Sequence, residues 1–366
     1  MLIYILLLII LFIVWLFWGE GRGEERKATW LMFALMALVM SLRGLSVGTD
    51  TQQAAILIEQ AACSSLPSGF DQLIGIYEYA PLYAIWCKFI WFVYPSSQVV
   101  IAANSIVICL GFSLFFLQVS EKPSMCSFLY YVSFSFVNAL NVMRQELACA
   151  VCLIALVLLL RNKRISALVV AVVAFGIHNT SIALVVIFAL LYVLSRKIEM
   201  SFGKLLLICL SISVILRALY EPAYSLFFSV FDRYGDVYSE DALGYTSQGR
   251  TVLLYMLYLL VFVVYSLSAA SDKNRTMQGP ILLITSLGLI CLGFNIFFYD
   301  LTLMKRIANY FLPFLLVVLS RVLTTLCTQW RTVAPSYFVT TFIALVFLVQ
   351  LHSNIGEVVP YSFFWD

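Results

Sequence analysis

The sequence predicts an all-α, polytopic integral membrane protein with about twelve transmembrane helices and one short interfacial or re-entrant helix. Three observations carry that prediction. The 366 residues are 63% hydrophobic and only 11% charged, whereas soluble domains carry about 25% charged residues. Apolar runs near 20 residues recur along the whole chain, the length that a hydrocarbon core of about 30 Å demands of a helix. Lysine and arginine gather in a few short stretches between those runs. No polar segment is long enough to fold alone, so residues 1–366 read as one transmembrane domain.

The basic stretches are "GRGEERK" (21–27), "RNKR" (161–164), "SRK" (195–197), "SDKNR" (271–275) and "TQWR" (328–331). By the positive-inside rule they face the cytoplasm. Spans then fall near 2–18, 28–43, 97–118, 125–142, 145–160, 165–177, 180–194, 203–219, 251–269, 280–298, 306–325 and 336–351. Both termini are expected outside, with outer loops at about 44–96 and 220–250. The first run has neither a basic n-region nor a small-residue cleavage site, so it reads as a span and not as a removable signal.

Two segments depart from a simple alternation. "APLYAIWCKFIWFVY" (80–94) is short for a span and carries Lys88. Its Trp and Tyr content suits the membrane interface. Residues 165–194 are flanked by basic residues on both sides, so they form a hairpin turning at "GIHNTS". Each leg of about 14 residues rises about 21 Å, which places the turn and His178 below the outer surface. Irregular backbone is tolerated at such depth where it lines a cavity.

The nine cysteines sit mostly within apolar runs. Cys149 and Cys152 form a CxxC inside a helical run, with no second pair and no nearby histidine. They read as core thiols and not as a metal site. The net charge of +3 follows the basic loops and gives no sign of a nucleic-acid partner.

The remaining polar residues collect on the outer side of this topology. Arg43, Gly48, Thr49 and Asp50 follow the second span, and Glu78 precedes the short helix. Arg144, Gln145 and Glu146 mark the turn between spans four and five. His178 lies at the hairpin tip, Arg233 in "FDRYGDVYSED", and Lys305 with Arg306 opens span eleven. This set suits an anionic headgroup, because arginine's planar fork binds phosphate bidentately. A carboxylate or imidazole beside it would serve as general base towards a hydroxyl. No DxD-like acidic pair appears at the outer helix ends, so neither a metal nor a cofactor is called for. Each residue also has a plainer reading. Arg43 and Arg306 would snorkel at helix ends, Gly48-Thr49-Asp50 would close a turn, Arg144 would pair Glu146 or Glu78, and His178 would hydrogen-bond its own turn.

"LRGLSVGTDT", "MRQELA", "GIHNTSIAL" and "RIANYFLPF" occur in that order. They resemble the R-x-x-x-x-G-x-D, Arg-Gln, His-x-(Ser/Thr) and Arg-x-x-x-Tyr-Phe motifs of EpsG-like proteins, a branch of the Wzy-type polymerases of O-antigen and exopolysaccharide. The resemblance covers about residues 2–325. It departs at Gln53, where the family usually has tyrosine after the aspartate-threonine.

The resemblance implies a GT-C-like polymerase of the bacterial inner membrane, active on its periplasmic face. Its substrate would be undecaprenyl-diphosphate-linked oligosaccharide, embedded in membrane lipid. A chain-length regulator of the polysaccharide co-polymerase type is the implied partner. Arg43, Arg144 and Arg306 would grip diphosphate, with Gln145 and Arg233 as further substrate contacts. Asp50 would orient the acceptor and His178 take its proton, Glu78 being a further candidate base. A flippase for lipid-linked oligosaccharide and an O-antigen ligase are the main alternatives. A flippase would place its charges near the midplane, on related halves, and no internal repeat is evident.

Overall fold

The computed structural model describes residues 1–18, 21–63, 81–230, 249–269 and 276–366. Over these residues the chain forms fifteen helices and one two-residue strand pair. Six helices are long and apolar enough to cross a membrane: 97–119, 143–160, 202–220, 280–297, 304–330 and 334–352. Five shorter apolar helices accompany them. The protein is a multi-pass membrane protein. Its chain divides into two compact units, residues 1–185 with 337–366, and residues 186–336.

The first unit holds α1 (Leu2–Trp18), α2 (Arg22–Ser41), α3 (Thr51–Cys63), α4 (Pro81–Val93) and α5 (Ser97–Val119). It continues with α6 (Pro123–Val132), α7 (Ser135–Asn141), α8 (Met143–Leu160) and α9 (Arg164–Ile177). After the turn at His178–Thr180, α10 (Ser181–Ser195) begins in it, and most of α15 (Ala334–His352) closes it.

The contacts of this unit collect at two poles. At one, Glu25 is buried and accepts the Ser124 N–H at 3.0 Å and Lys122 Nζ at 3.2 Å. That carboxylate fills the role of a cap, since the first N–H groups of α6 have no partner within the helix. Trp15 stacks on Phe128 there, ring centroids 5.1 Å apart, and meets Tyr337. Arg161 Nε donates to Gln118 Oε1 at 2.8 Å, joining the ends of α5 and α8. At the opposite pole the ring of Tyr4 meets Tyr361, and the Tyr361 hydroxyl donates to the Val39 carbonyl at 2.8 Å.

Two elements differ from expectation. The stretch expected as one span over 125–142 is broken, because Phe134 takes a left-handed conformation (φ 68°) and separates α6 from α7. Such a conformation costs about 1–3 kcal/mol for a bulky residue and persists only where packing fixes it. Here the Phe134 ring packs on Phe347 of α15, and the Ser133 and Ser135 hydroxyls bond each other at 2.7 Å. The resulting helices have 10 and 7 residues, and neither reaches across a bilayer at 1.5 Å per residue.

The second difference is α3, which buries a stripe of Thr51, Ala55, Ile58 and Ala61. It packs on α4, whose Lys88 Nζ donates to the Ala62 carbonyl at 3.3 Å. A cation at a helix C-terminus meets both the orphan carbonyls and the negative end of the dipole. That contact accounts for a lysine in an otherwise apolar segment.

In the second unit, α11 (Phe202–Val230), α12 (Gly249–Ala269), α13 (Pro280–Phe297) and α14 (Thr302–Trp330) pack together. Strand β1 (Met200–Ser201) pairs antiparallel with β2 (Thr276–Met277). Within a membrane, close helix contact depends on small residues. Gly288 lets α13 approach α14, where a Cβ would stand 3.0 Å from the Phe314 carbonyl oxygen.

Gly111 does the same between α5 and α8 of the first unit, where a Cβ would fall 2.6 Å from the Ala150 carbonyl oxygen. Backbone cannot move aside as a flexible side chain can, so Gly111→Val is expected to destabilise the protein by about 1–3 kcal/mol. A lower melting temperature of the detergent-purified variant would report it; an unchanged one would mean that the α5–α8 seam is looser than this.

Candidate functional site

The chemistry of the first unit gathers at the break between α7 and α8. There the Leu140 carbonyl accepts side chains, Arg43 Nη2 and the Thr51 hydroxyl, while the Val142 carbonyl already accepts the Glu146 N–H of the next helix. Arg43 reaches this break from the end of α2 and is completely buried, at 0% exposure. Its Nη1 donates to the Met40 carbonyl at 2.7 Å, and its Nη2 to the Leu140 carbonyl at 3.3 Å and Met143 Sδ at 3.4 Å. Among the described residues its Nε has no partner and no carboxylate pairs with it.

Arg43 is a cation at neutral pH even when buried, because a guanidinium does not lose its proton within proteins. Burying an ion costs several kcal/mol even after relaxation. The Met40 carbonyl offsets part of this, because it belongs to the negative end of α2. The arginine expected at the outer end of the second span is therefore an interior one.

The loop after Arg43 is held by the C-terminal segment. Arg43 faces Phe363 in an antiparallel bridge, Gly44 N–H donates to the Ser362 carbonyl at 2.8 Å, and Phe364 N–H donates to the Leu42 carbonyl at 3.0 Å. Farther on, the Gly48 N–H donates to the Glu357 carbonyl at 2.9 Å. Gln98, at the start of α5, donates to the Ser41 and Arg43 carbonyls. Asp50 stands at the entry to α3, its carbonyl accepting the Ala54 N–H. Its carboxylate is exposed and accepts the Thr49 hydroxyl at 2.9 Å.

Arg144 is the exposed counterpart of Arg43. Its guanidinium carbon lies 6.0 Å from the centroid of the buried Tyr83 ring, at the outer limit of cation–π attraction. Among the described residues it has no ion pair. Tyr83 is fixed from below, because Asn104 Nδ2 donates to its hydroxyl at 3.3 Å and Trp86 Nε1 donates to Asn104 Oδ1 at 2.7 Å. The same Asn104 Nδ2 approaches Met143 Sδ at 3.8 Å. Met143 thus lies between the Arg43 fork and the platform beneath Arg144.

The hairpin turn joins this region through α4. A Cβ on Gly176 would stand 2.5 Å from Leu82 Cγ, next to Tyr83. Two residues later His178 caps α9, with its Nδ1 2.7 Å from Thr180 Oγ1. Gln145 and Glu146 are buried, and Glu146 is hydrogen-bonded to the Asn138 side chain. Arg144 therefore points outward alone from "MRQELA".

Arg306 belongs to the second unit, exposed on the first turns of α14. Nearby in that unit Arg217 Nη2 pairs with Asp300 Oδ2 at 2.9 Å. Glu78 and Arg233 lie outside the described residues. Cys149 and Cys152 are buried in α8, and no group of three His, Cys, Asp or Glu side chains among the described residues is placed to hold a metal ion.

Sequence reasoning missed Tyr83, Asn104, Asn141 and the C-terminal segment. The signal for Asn104 was available, as an amide inside the apolar run 97–118. So was that for Arg217, a charge in the apolar run 203–219, and for Asp300, which stands two residues beyond the run 280–298.

A family model described as the EpsG family matches residues 28–363. The chain belongs to the EpsG family. That is a Wzy-like polymerase family, and the resemblance to it is thereby borne out. Among curated proteins and solved structures nothing matches the chain. The EpsG match runs from α2 to Phe363, so it takes in Arg43, Asp50, Arg144, His178 and Arg306. It also takes in the C-terminal segment that pairs with the Arg43 loop.

In this EpsG-family protein Gly44 is the point where that segment touches the loop most closely. A Cβ there would lie 3.0 Å from the Phe363 carbonyl oxygen. Gly44→Val is expected to lift the segment away, releasing at least two backbone hydrogen bonds worth about 0.5–1.5 kcal/mol each. Faster proteolysis at residues 353–366 of the purified variant would show it, and wild-type resistance would contradict the contact.

Proposed function

We propose that this protein is a polysaccharide polymerase of the bacterial inner membrane, working on the periplasmic face. It would transfer a glycan from an undecaprenyl-diphosphate donor onto the next lipid-linked repeat. One observation carries the reading beyond family membership. Arg43 and Arg144 flank Met143, one wholly buried and one exposed, and neither has a carboxylate partner among the described residues. A buried cation without a counter-charge is costly to fold around, and a diphosphate is the anion that such a pair suits. The arrangement of about twelve spans with a GT-C-like architecture belongs to the same proposal.

In this reading the acceptor hydroxyl oxygen forms the new bond to the anomeric carbon of the donor sugar. The bond from that carbon to the diphosphate oxygen breaks, and the diphosphate leaves with its electron pair. Arg144 meets the diphosphate directly, resting on Tyr83. Arg43 acts through the field of its fixed charge, which gains strength where water is excluded. Arg306 and Arg233 would be further substrate contacts, whereas the buried Gln145 turns away from the face that Arg144 presents. No metal is required.

The acceptor proton passes to His178, with Asp50 orienting the hydroxyl and Glu78 as the other candidate base. The Thr180 contact sets a condition on His178. Only the tautomer whose Nδ1–H donates to Thr180 Oγ1 presents a basic Nε2. The partner that sets chain length would be a co-polymerase.

The test is a gel of surface polysaccharide from a strain lacking this gene, complemented with variants. Loss of the gene is expected to leave single repeats on the lipid core. Arg144→Ala is expected to do the same with the protein still in the membrane. Arg43→Lys should also shorten the chains by at least about tenfold, because a lysine cannot fork between the Met40 and Leu140 carbonyls. An unchanged ladder would remove the protein from the pathway. Accumulation of long lipid-linked chains would make it a ligase, and absence of repeats from the outer face would make it a flippase.

A further inference from the structure

Asn141, the last residue of α7, is enclosed by two glycines from distant parts of the chain. A Cβ on Gly48 (φ 97°) would lie 2.6 Å from Asn141 Oδ1, and one on Gly356 (φ 81°) would lie 2.6 Å from Asn141 Nδ2. Both backbones lie in the left-handed half of conformational space that glycine alone enters without strain. The amide oxygen accepts the Thr49 N–H at 2.7 Å, and the Thr49 hydroxyl lies 3.2 Å from it. That same hydroxyl donates to Asp50 Oδ1 at 2.9 Å. The two glycine segments are also joined directly, through the Gly48 N–H and the Glu357 carbonyl.

We infer that Asn141 is a positioning residue that ties the orientation of the Asp50 carboxylate to the C-terminal segment. The chain of contacts runs from Gly356 through the Asn141 amide to Thr49, and from the Thr49 hydroxyl to Asp50. An amide suits this place because its two ends differ. The oxygen takes the N–H of the loop, and the nitrogen faces the C-terminal segment. The structural half of the inference stands without an assigned reaction, whereas its effect on turnover rests on the polymerase reading.

Hydrogen exchange of the purified full-length protein tests the structural half. Asn141→Ala should speed exchange in residues 44–50 and 353–363 together. Gly356→Ala should reproduce this in the wild type and add little to it in the Asn141→Ala background. Gly21→Ala, at a positive-φ glycine with open space around it, should leave both segments protected. Wild-type protection of either segment in Asn141→Ala, or additive effects of the two substitutions, would overturn the coupling.

Elongation of the host's own lipid-linked repeat by the same preparations tests the other half. Asn141→Ala should lower kcat by about 100-fold, as a displacement of about 1 Å does, with KM within about twofold. In an Asp50→Asn background it should change kcat no further, and a multiplied loss would separate Asn141 from Asp50. Should exchange be correct but the wild type elongate nothing, the polymerase reading falls and the coupling remains.

Discussion

The first unit is organised around a cation that water does not reach. Arg43 donates to the carbonyls of Met40 and Leu140 and to the sulfur of Met143, and its own backbone pairs with Phe363. Four parts of the chain therefore meet at one residue: the end of α2, the end of α7, the start of α8 and the C-terminal segment. Hydrogen bonds that involve a charged group contribute about 1.5–3 kcal/mol, more than neutral ones. They are still set against a desolvation penalty of several kcal/mol. The balance is not one that stability alone would favour, since an apolar side chain of similar size is often neutral or stabilising at such a place.

The carbonyls that receive Arg43 exist because helices stop. Had residues 125–142 formed one helix running into the next, the Leu140 carbonyl would have been occupied by an N–H four residues on. The break at Phe134 and the second one at Val142 leave it turned towards the Arg43 fork and the Thr51 hydroxyl. The same break points Arg144 outward while Gln145 and Glu146 turn inward. Local irregularity thus makes the pair of arginines, one fixed and one reaching out. In a membrane such irregular backbone is tolerated only where protein or a cavity satisfies it. Here the groups that satisfy the Leu140 carbonyl are the Arg43 and Thr51 side chains.

Much of the helical order was legible in the sequence, and the reasons differ by element. The runs giving α1, α5, α8 and α13 are long, apolar and bounded by polar turns, so their limits fell within a few residues of expectation. Helix α3 was hidden because its buried stripe is made of Thr51, Ala55, Ile58 and Ala61, small residues among Gln52, Gln53, Glu59 and Gln60. The split between α6 and α7 was hidden for the opposite reason. Residues 125–142 read as continuous apolar helix, and only packing on Phe347 places Phe134 in its left-handed conformation. The choice of Arg144, Asp50 and His178 as candidates followed from topology and motif order, whereas the division of the chain into two units did not. The interior position of Arg43 and the whole role of residues 353–366 did not, because hydrogen bonds between backbones distant in sequence leave no pattern in either segment.

In the polymerase proposed above, the two arginines would divide the work that a headgroup site requires. A side chain that must find an anion needs freedom and water, as Arg144 has above Tyr83. A charge that must favour developing negative charge needs the reverse, fixed placement in a medium that screens little. At an effective dielectric of about 20 a unit pair at 4 Å interacts by about 4 kcal/mol, against about 1 kcal/mol in bulk water. Arg43 meets the second requirement through burial and through carbonyls that cannot follow it if it moves. Lysine would keep the charge at either position, but its point-like ammonium would neither span the Met40 and Leu140 carbonyls nor lie flat on a ring. That the chain places arginine at both, and spends folding energy to keep one of them dry, is the physical argument for reading this pole as the working end of the molecule.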